Sequence, residues 1–87
     1  MNYEIKYSKS LKKFLLKHRD IGVRVVEKLE KLSQNPKDES LDIKPLKAKD
    51  GHFRLRVGKY RILYEIVEQE ILIYAYDADS KGDIYKD

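Results

Sequence analysis

Arg54, Arg56 and Arg61, with a tyrosine near the end of the chain, are the residues with the plainest chemical potential. The arginines lie in His52-Phe53-Arg54-Leu55-Arg56-Val57-Gly58-Lys59-Tyr60-Arg61-Ile62-Leu63-Tyr64. Guanidinium forks match the geometry of phosphate oxygens and stay charged at any relevant pH. A face carrying three of them is a credible phosphate clamp, and RNA or DNA is the obvious polyanion. Tyr85 closes the segment Ser80-Lys81-Gly82-Asp83-Ile84-Tyr85, which either folds back to the arginines or merely anchors the tail. A phenol, with a reference pKa of about 10, is a poor base at neutral pH unless cations favour the phenolate. A cluster of arginines would supply that field.

His52 shares the strand parity of Arg54, so it either meets a ligand or is simply an exposed strand-start residue. His18 falls on an apolar helical stripe and reads as a packing residue. Two histidines so far apart do not suggest a metal site, and the absence of cysteine excludes thiolate ligands and disulfides. Asp77-Ala78-Asp79-Ser80-Lys81-Gly82 opens like a calcium loop, but its fifth position is Lys and its twelfth falls past the last residue. There is no Gly-rich phosphate loop and no nucleophile elbow. No metal and no cofactor are expected.

The elements that must position these groups follow from periodicity. Gly58-Lys59 splits two β-rich runs and reads as a two-residue hairpin turn. Val57 then stands opposite Tyr60 and Arg56 opposite Arg61. Phe53, Leu55 and Val57 go to one face, with His52, Arg54 and Arg56 on the other. Charged strand residues ordinarily mark a solvated face. Like charges placed directly opposite are destabilising, however, which argues that the arginines are kept for something anionic.

Tyr3, Ile5 and Tyr7 alternate with Glu4 and Lys6 as a short strand. Ser8 or Ser10 can cap a first helix carrying Leu11, Phe14, Leu15 and His18 on one face. Asp20 is expected to cap a second helix with the stripe Ile21, Val25, Leu29 and Leu32, stopped by Asn35-Pro36. Residues 37–51 look polar and irregular, with Leu41, Ile43 and Leu46 as anchors. After the hairpin, Glu68-Gln69 reverses the chain, residues 71–76 form the last strand, and residues 77–86 form a loop and tail. The order β-α-α-β-β-β predicts an α+β fold, with an N-terminal strand and a helical hairpin packed on a mainly antiparallel sheet.

The 87 residues predict one domain over residues 1–87. The net charge of +4 and a pI of about 9.2 suit a phosphate-rich or an acidic partner. The N-terminus lacks an apolar run and charges interrupt every later one, so a cytoplasmic protein without membrane contact is expected.

Together these residues resemble the RelE group of the RelE/ParE toxin superfamily. The resemblance spans nearly the whole chain. It includes Pro45-Leu46-Lys47, the segment from Gly51 to Tyr64 with Arg54-Leu55-Arg56-Val57-Gly58-x-Tyr60-Arg61 as its strongest match, and Lys81-Gly82-Asp83-Ile84-Tyr85. It implies a toxin that cleaves messenger RNA in the ribosomal A site without metal, held in a heteromeric complex with a RelB-like antitoxin. The matching catalytic positions would be Arg54, Arg61, Lys81 and Tyr85, and Lys47, His52 and Arg56 would hold RNA. Lys81 replaces an arginine usual in the family, exchanging a planar fork for a point charge that surrenders its proton more easily. Two other readings share this fold: a ParE-like inhibitor of DNA gyrase that cleaves nothing, and a nuclease-dead member that only binds its antitoxin.

Overall fold

The computed structural model describes residues 2–47 and 49–80. Strand β1 (Glu4–Tyr7) exposes Glu4 and Lys6 and half-buries Ile5 and Tyr7, as its alternation predicts. Helix α1 (Lys9–Lys17) begins where Ser8 Oγ accepts the Leu11 amide hydrogen at 3.0 Å. The same hydroxyl donates to the Tyr76 carbonyl at 2.7 Å, tying the helix start to the last strand.

Helix α2 (Arg19–Gln34) follows after a single residue, His18. Asp20 is therefore not the cap; it lies in the first turn, where a carboxylate still favours the helix dipole. The two helices approach closely at Gly22, where an added Cβ would sit 3.2 Å from the Leu15 carbonyl oxygen. The predicted stripes face inward: Leu11, Val25, Leu29 and Leu32 are fully buried. No helix among the described residues is long and apolar enough to cross a membrane.

The fold is α+β, and its sheet has five strands in the order β1-β5-β4-β3-β2. β1 runs parallel to β5 and every other pairing is antiparallel. The additional strand, β2 (Ile43–Pro45), lies in the segment expected to be irregular, with Ile43 opposite Leu55 and Lys44 opposite Arg54. Three residues ending in proline give little strand signal, and an edge strand tolerates the missing donor.

β3 (His52–Val57) and β4 (Tyr60–Val67) form the predicted hairpin, with Gly58 at φ +61° in the turn. A left-handed φ there favours glycine. β4 reverses through a short 3₁₀ turn (Glu68–Glu70) and Ile71 into β5 (Leu72–Ser80). β5 thus runs four residues past the expected end at Tyr76. The pairing shifts between Leu63, opposite Asp77, and Tyr64, opposite Ala75, leaving Tyr76 as an extra bulged residue.

Helices and sheet enclose a core of which Leu11, Leu29, Leu55, Ile62 and Ile73 are fully buried members. Tyr64 is also fully buried, stacked on Phe53 with ring centroids 5.5 Å apart. Its hydroxyl has no hydrogen-bond partner among the described residues. Burial pushes the Tyr64 phenol well above its ordinary pKa, so it stays neutral. His18 packs as expected, with Phe14 and Tyr60 rings at 4.6 and 5.3 Å.

Candidate functional site

The sheet face away from the helices gathers the charged residues of β3, β4 and β5. Strand period 2 sends every second residue there, and register decides which meet. In one row Arg56 stands opposite Arg61, and Arg61 opposite Asp79. In the next row Arg54 lies between Lys44 of β2 and Leu63 of β4. In the third, His52 stands opposite Glu65, and Glu65 opposite Tyr74.

The arginine row behaves unlike an ordinary solvated face. Arg56 and Arg61 are half-buried, and Arg54 is only 7% exposed. The Arg54 Nε is buried without a hydrogen-bond partner among the described residues. A guanidinium cannot shed its proton, so a buried, incompletely partnered one is costly to the fold. Arg54 thus lies beside two further guanidiniums, an arrangement that can bind an anion.

The other end of the face is aromatic. His52 Nδ1 lies 3.0 Å from the Tyr76 hydroxyl, and His52 Nε2 lies 3.8 Å from Glu65 Oε2. The Tyr76 ring is 5.6 Å from the His52 ring and 6.0 Å from the ring of Tyr74, which is partly exposed. Glu65 and Tyr76 were not singled out from the sequence. Glu65 is the register partner of His52, but only the bulge at residue 76 turns Tyr76 toward the imidazole, and nothing in the sequence marks that bulge.

Of the residues expected at the site, the structure brings Arg54, Arg56, Arg61 and His52 onto one face. Lys47 is exposed in the loop between β2 and β3. Lys81 and Tyr85 lie outside the described residues. Among the described residues, no group of three or more His, Cys, Asp or Glu side chains is arranged to hold a metal ion.

The family model for the ParE toxin of type II toxin–antitoxin systems, parDE, matches residues 5–75. The chain belongs to that family. This toxin is also similar in structure to RelE proteins. The archaeal RelE–RelB complex from Pyrococcus horikoshii matches with TM-score 0.78 and 23% identity, over 94% of this chain and 98% of that one. At that identity the likeness speaks for the fold alone. A RelBE toxin–antitoxin complex from Mycobacterium tuberculosis matches with TM-score 0.75 and 28% identity, over 95% of each chain. The RelB–RelE complex from Methanococcus jannaschii matches with TM-score 0.66 and 29% identity, over 86% of this chain and 88% of that one. A sequence search of curated proteins finds no match.

In this toxin, then, a RelE-like scaffold carries two adjacent chemistries on one sheet face. The guanidinium end can bind phosphate and stabilise charge growing on it. The imidazole end can accept and pass a proton.

Proposed function

We propose that this toxin is a RelE-type endoribonuclease that cleaves messenger RNA in the ribosomal A site without a metal ion. The 2′-hydroxyl of one nucleotide attacks the adjacent phosphorus while the bond to the 5′-oxygen breaks. Arg54 and Arg61 stabilise the charge that builds on the phosphate, often the largest catalytic contribution. Arg56 and Lys47 hold neighbouring phosphates, and His52 lies beside the strand being cut. Lys81 protonates the departing oxygen, and Tyr85 as phenolate, or a neighbouring basic group, takes the hydroxyl proton. The direct opposition of Arg56 and Arg61, with Arg54 buried beside them, supports this reading most.

Residues 1–87 act as one cytoplasmic domain, silenced by a RelB-like antitoxin. Complexes with RelB are what the Pyrococcus, Mycobacterium and Methanococcus relatives form. An acidic, partly helical antitoxin segment would neutralise the basic surface.

The family match to ParE favours a second reading, a gyrase inhibitor without nuclease activity. One experiment separates the two. Programmed ribosomes incubated with the toxin yield fragments ending in 2′,3′-cyclic phosphate if it is a nuclease. Intact message together with accumulated gyrase–DNA breaks would overturn that reading and leave the ParE-type one.

A further inference from the structure

We propose that Tyr76, His52 and Glu65 form the proton relay of this site, with the Tyr76 phenol as the group that takes the 2′-hydroxyl proton. The inference rests on the nuclease reading and assigns a step that reading leaves open between Tyr85 and a neighbouring base.

A hydroxyl and a carboxylate approach the two ring nitrogens of one imidazole. The Tyr76 hydroxyl is 3.0 Å from His52 Nδ1, within hydrogen-bond range, and Glu65 Oε2 faces the opposite ring nitrogen at 3.8 Å. A carboxylate beside Nε2 favours the tautomer that carries its proton there, leaving Nδ1 free to accept. A phenol alone is too weak a base at neutral pH, and an imidazole hydrogen-bonded to it removes that defect.

The surroundings suit the role. The ring of His52 is partly covered, with 23% of its side chain exposed against 38% for Glu65, so the pair is shielded yet reachable. Among the described residues, the charged and titratable groups nearest the imidazole by contact, register or sequence are Glu65 on β4, Tyr74 and Tyr76 on β5, Arg54 two residues on in β3, and Asp50 in the preceding loop. Lys6 of β1 stands beyond, opposite Tyr74. The relay row neighbours the Arg54 row, about 7 Å along the strands. That spacing would let a phosphate held at the arginines place its adjoining sugar near Tyr76.

The step balances without any further reagent. The 2′-oxygen bonds to phosphorus as its proton passes to the Tyr76 oxygen, and the phenol's own proton passes to His52 Nδ1. The phosphorus–5′-oxygen bond breaks, and that oxygen takes a proton from the acid of the site. The products are a 2′,3′-cyclic phosphate and a 5′-hydroxyl, and the imidazolium later returns its proton to water.

Single-turnover cleavage of ribosome-bound message across a range of pH tests the relay, using wild type, Tyr76→Phe, His52→Gln, Glu65→Gln, the Tyr76→Phe/His52→Gln double variant, and Arg61→Ala. Tyr76→Phe keeps the ring and its packing, and circular dichroism checks each fold. Tyr76→Phe and His52→Gln should each slow the cleavage step about 10²–10⁴-fold at saturating ribosome-bound message. The double variant should be no slower than the slower single, because the two groups act as a unit. In wild type the rate should fall on the acid side as the imidazole protonates. That limb should vanish in His52→Gln, and Glu65→Gln should release the ring proton from Nε2 toward Nδ1. Nitrogen-15 shifts of His52 should report the proton on Nε2, independently of any activity.

Tyr76→Phe cleaving at the wild-type rate, losses that multiply in the double variant, or a proton on Nδ1 would each overturn the relay. If wild type cleaves and Arg61→Ala does not, any such failure belongs to the relay alone. A folded wild-type toxin that leaves programmed message intact overturns the relay and the nuclease reading together.

Discussion

The two faces of the sheet draw on alternate residues of the same strands and treat a stranded polar atom differently. On the core face the Tyr64 hydroxyl is buried without a partner among the described residues, and the phenol answers by staying protonated, its pKa pushed up by burial. On the outer face the Arg54 Nε is in the same position, but a guanidinium has no neutral form to retreat to. One orphan is a small packing compromise. The other leaves a fixed charge with a donor unmet. The difference separates residues that hold the fold from residues that the fold holds ready.

That contrast can be broken from either side. On the outer face, Arg61→Ala should lower the cleavage rate about 10²–10³-fold, the scale of losing one preorganised donor to a growing charge. Its melting temperature should fall less than that of a core truncation, and rate and melting curve together check the claim. On the core face the expected pattern reverses. Leu55→Ala, one residue from Arg54 and fully buried, should cost about 3 kcal/mol in denaturant unfolding. The folded fraction of that variant should still cleave normally.

Tyr64→Phe sharpens the comparison with the smallest effect. Removing a buried hydroxyl that has no partner should stabilise the toxin by about 1 kcal/mol. It should also change the alkaline limb of stability. Because the folded state holds the Tyr64 phenol above its unfolded pKa of about 10, its contribution is fully present below that pH. It is lost as pH rises further, when the unfolded chain ionises first. Tyr3, raised chiefly by its hydrogen bond to Glu68, and Tyr7, raised chiefly by burial, act in the same direction. Phenolate absorbance followed alongside circular dichroism should show Tyr64 ionising only as the protein unfolds, and Tyr64→Phe should resist alkali further.

Much of this was legible in the chain, for identifiable reasons. The Gly58 turn fixes the register of β3 and β4, so the meeting of Arg56 with Arg61 follows from counting residues. The helical stripes are equally plain, since 3.6-residue spacing separates Leu11, Val25 and Leu29 from the lysines. β2 was hidden by its brevity and its proline. The far end of β5 was hidden because Asp77 and Asp79 look like loop residues until their pairing with Leu63 and Arg61 is seen. The burial of Arg54 was not legible, because alternation gives a side chain's direction and not what covers it. The approach of Tyr76 to His52, 24 positions away in sequence, depends on a one-residue bulge without a sequence signature.

The most direct test is the unfolding midpoint of Arg54→Met, read beside its cleavage of ribosome-bound message. If Arg54 is held buried for an incoming phosphate, replacing it by an apolar side chain of similar length should raise stability by about 1–2 kcal/mol. Cleavage should fall in the same variant. A lower midpoint with cleavage intact would mean that Arg54 is a structural residue and that the outer face is not built for an anion.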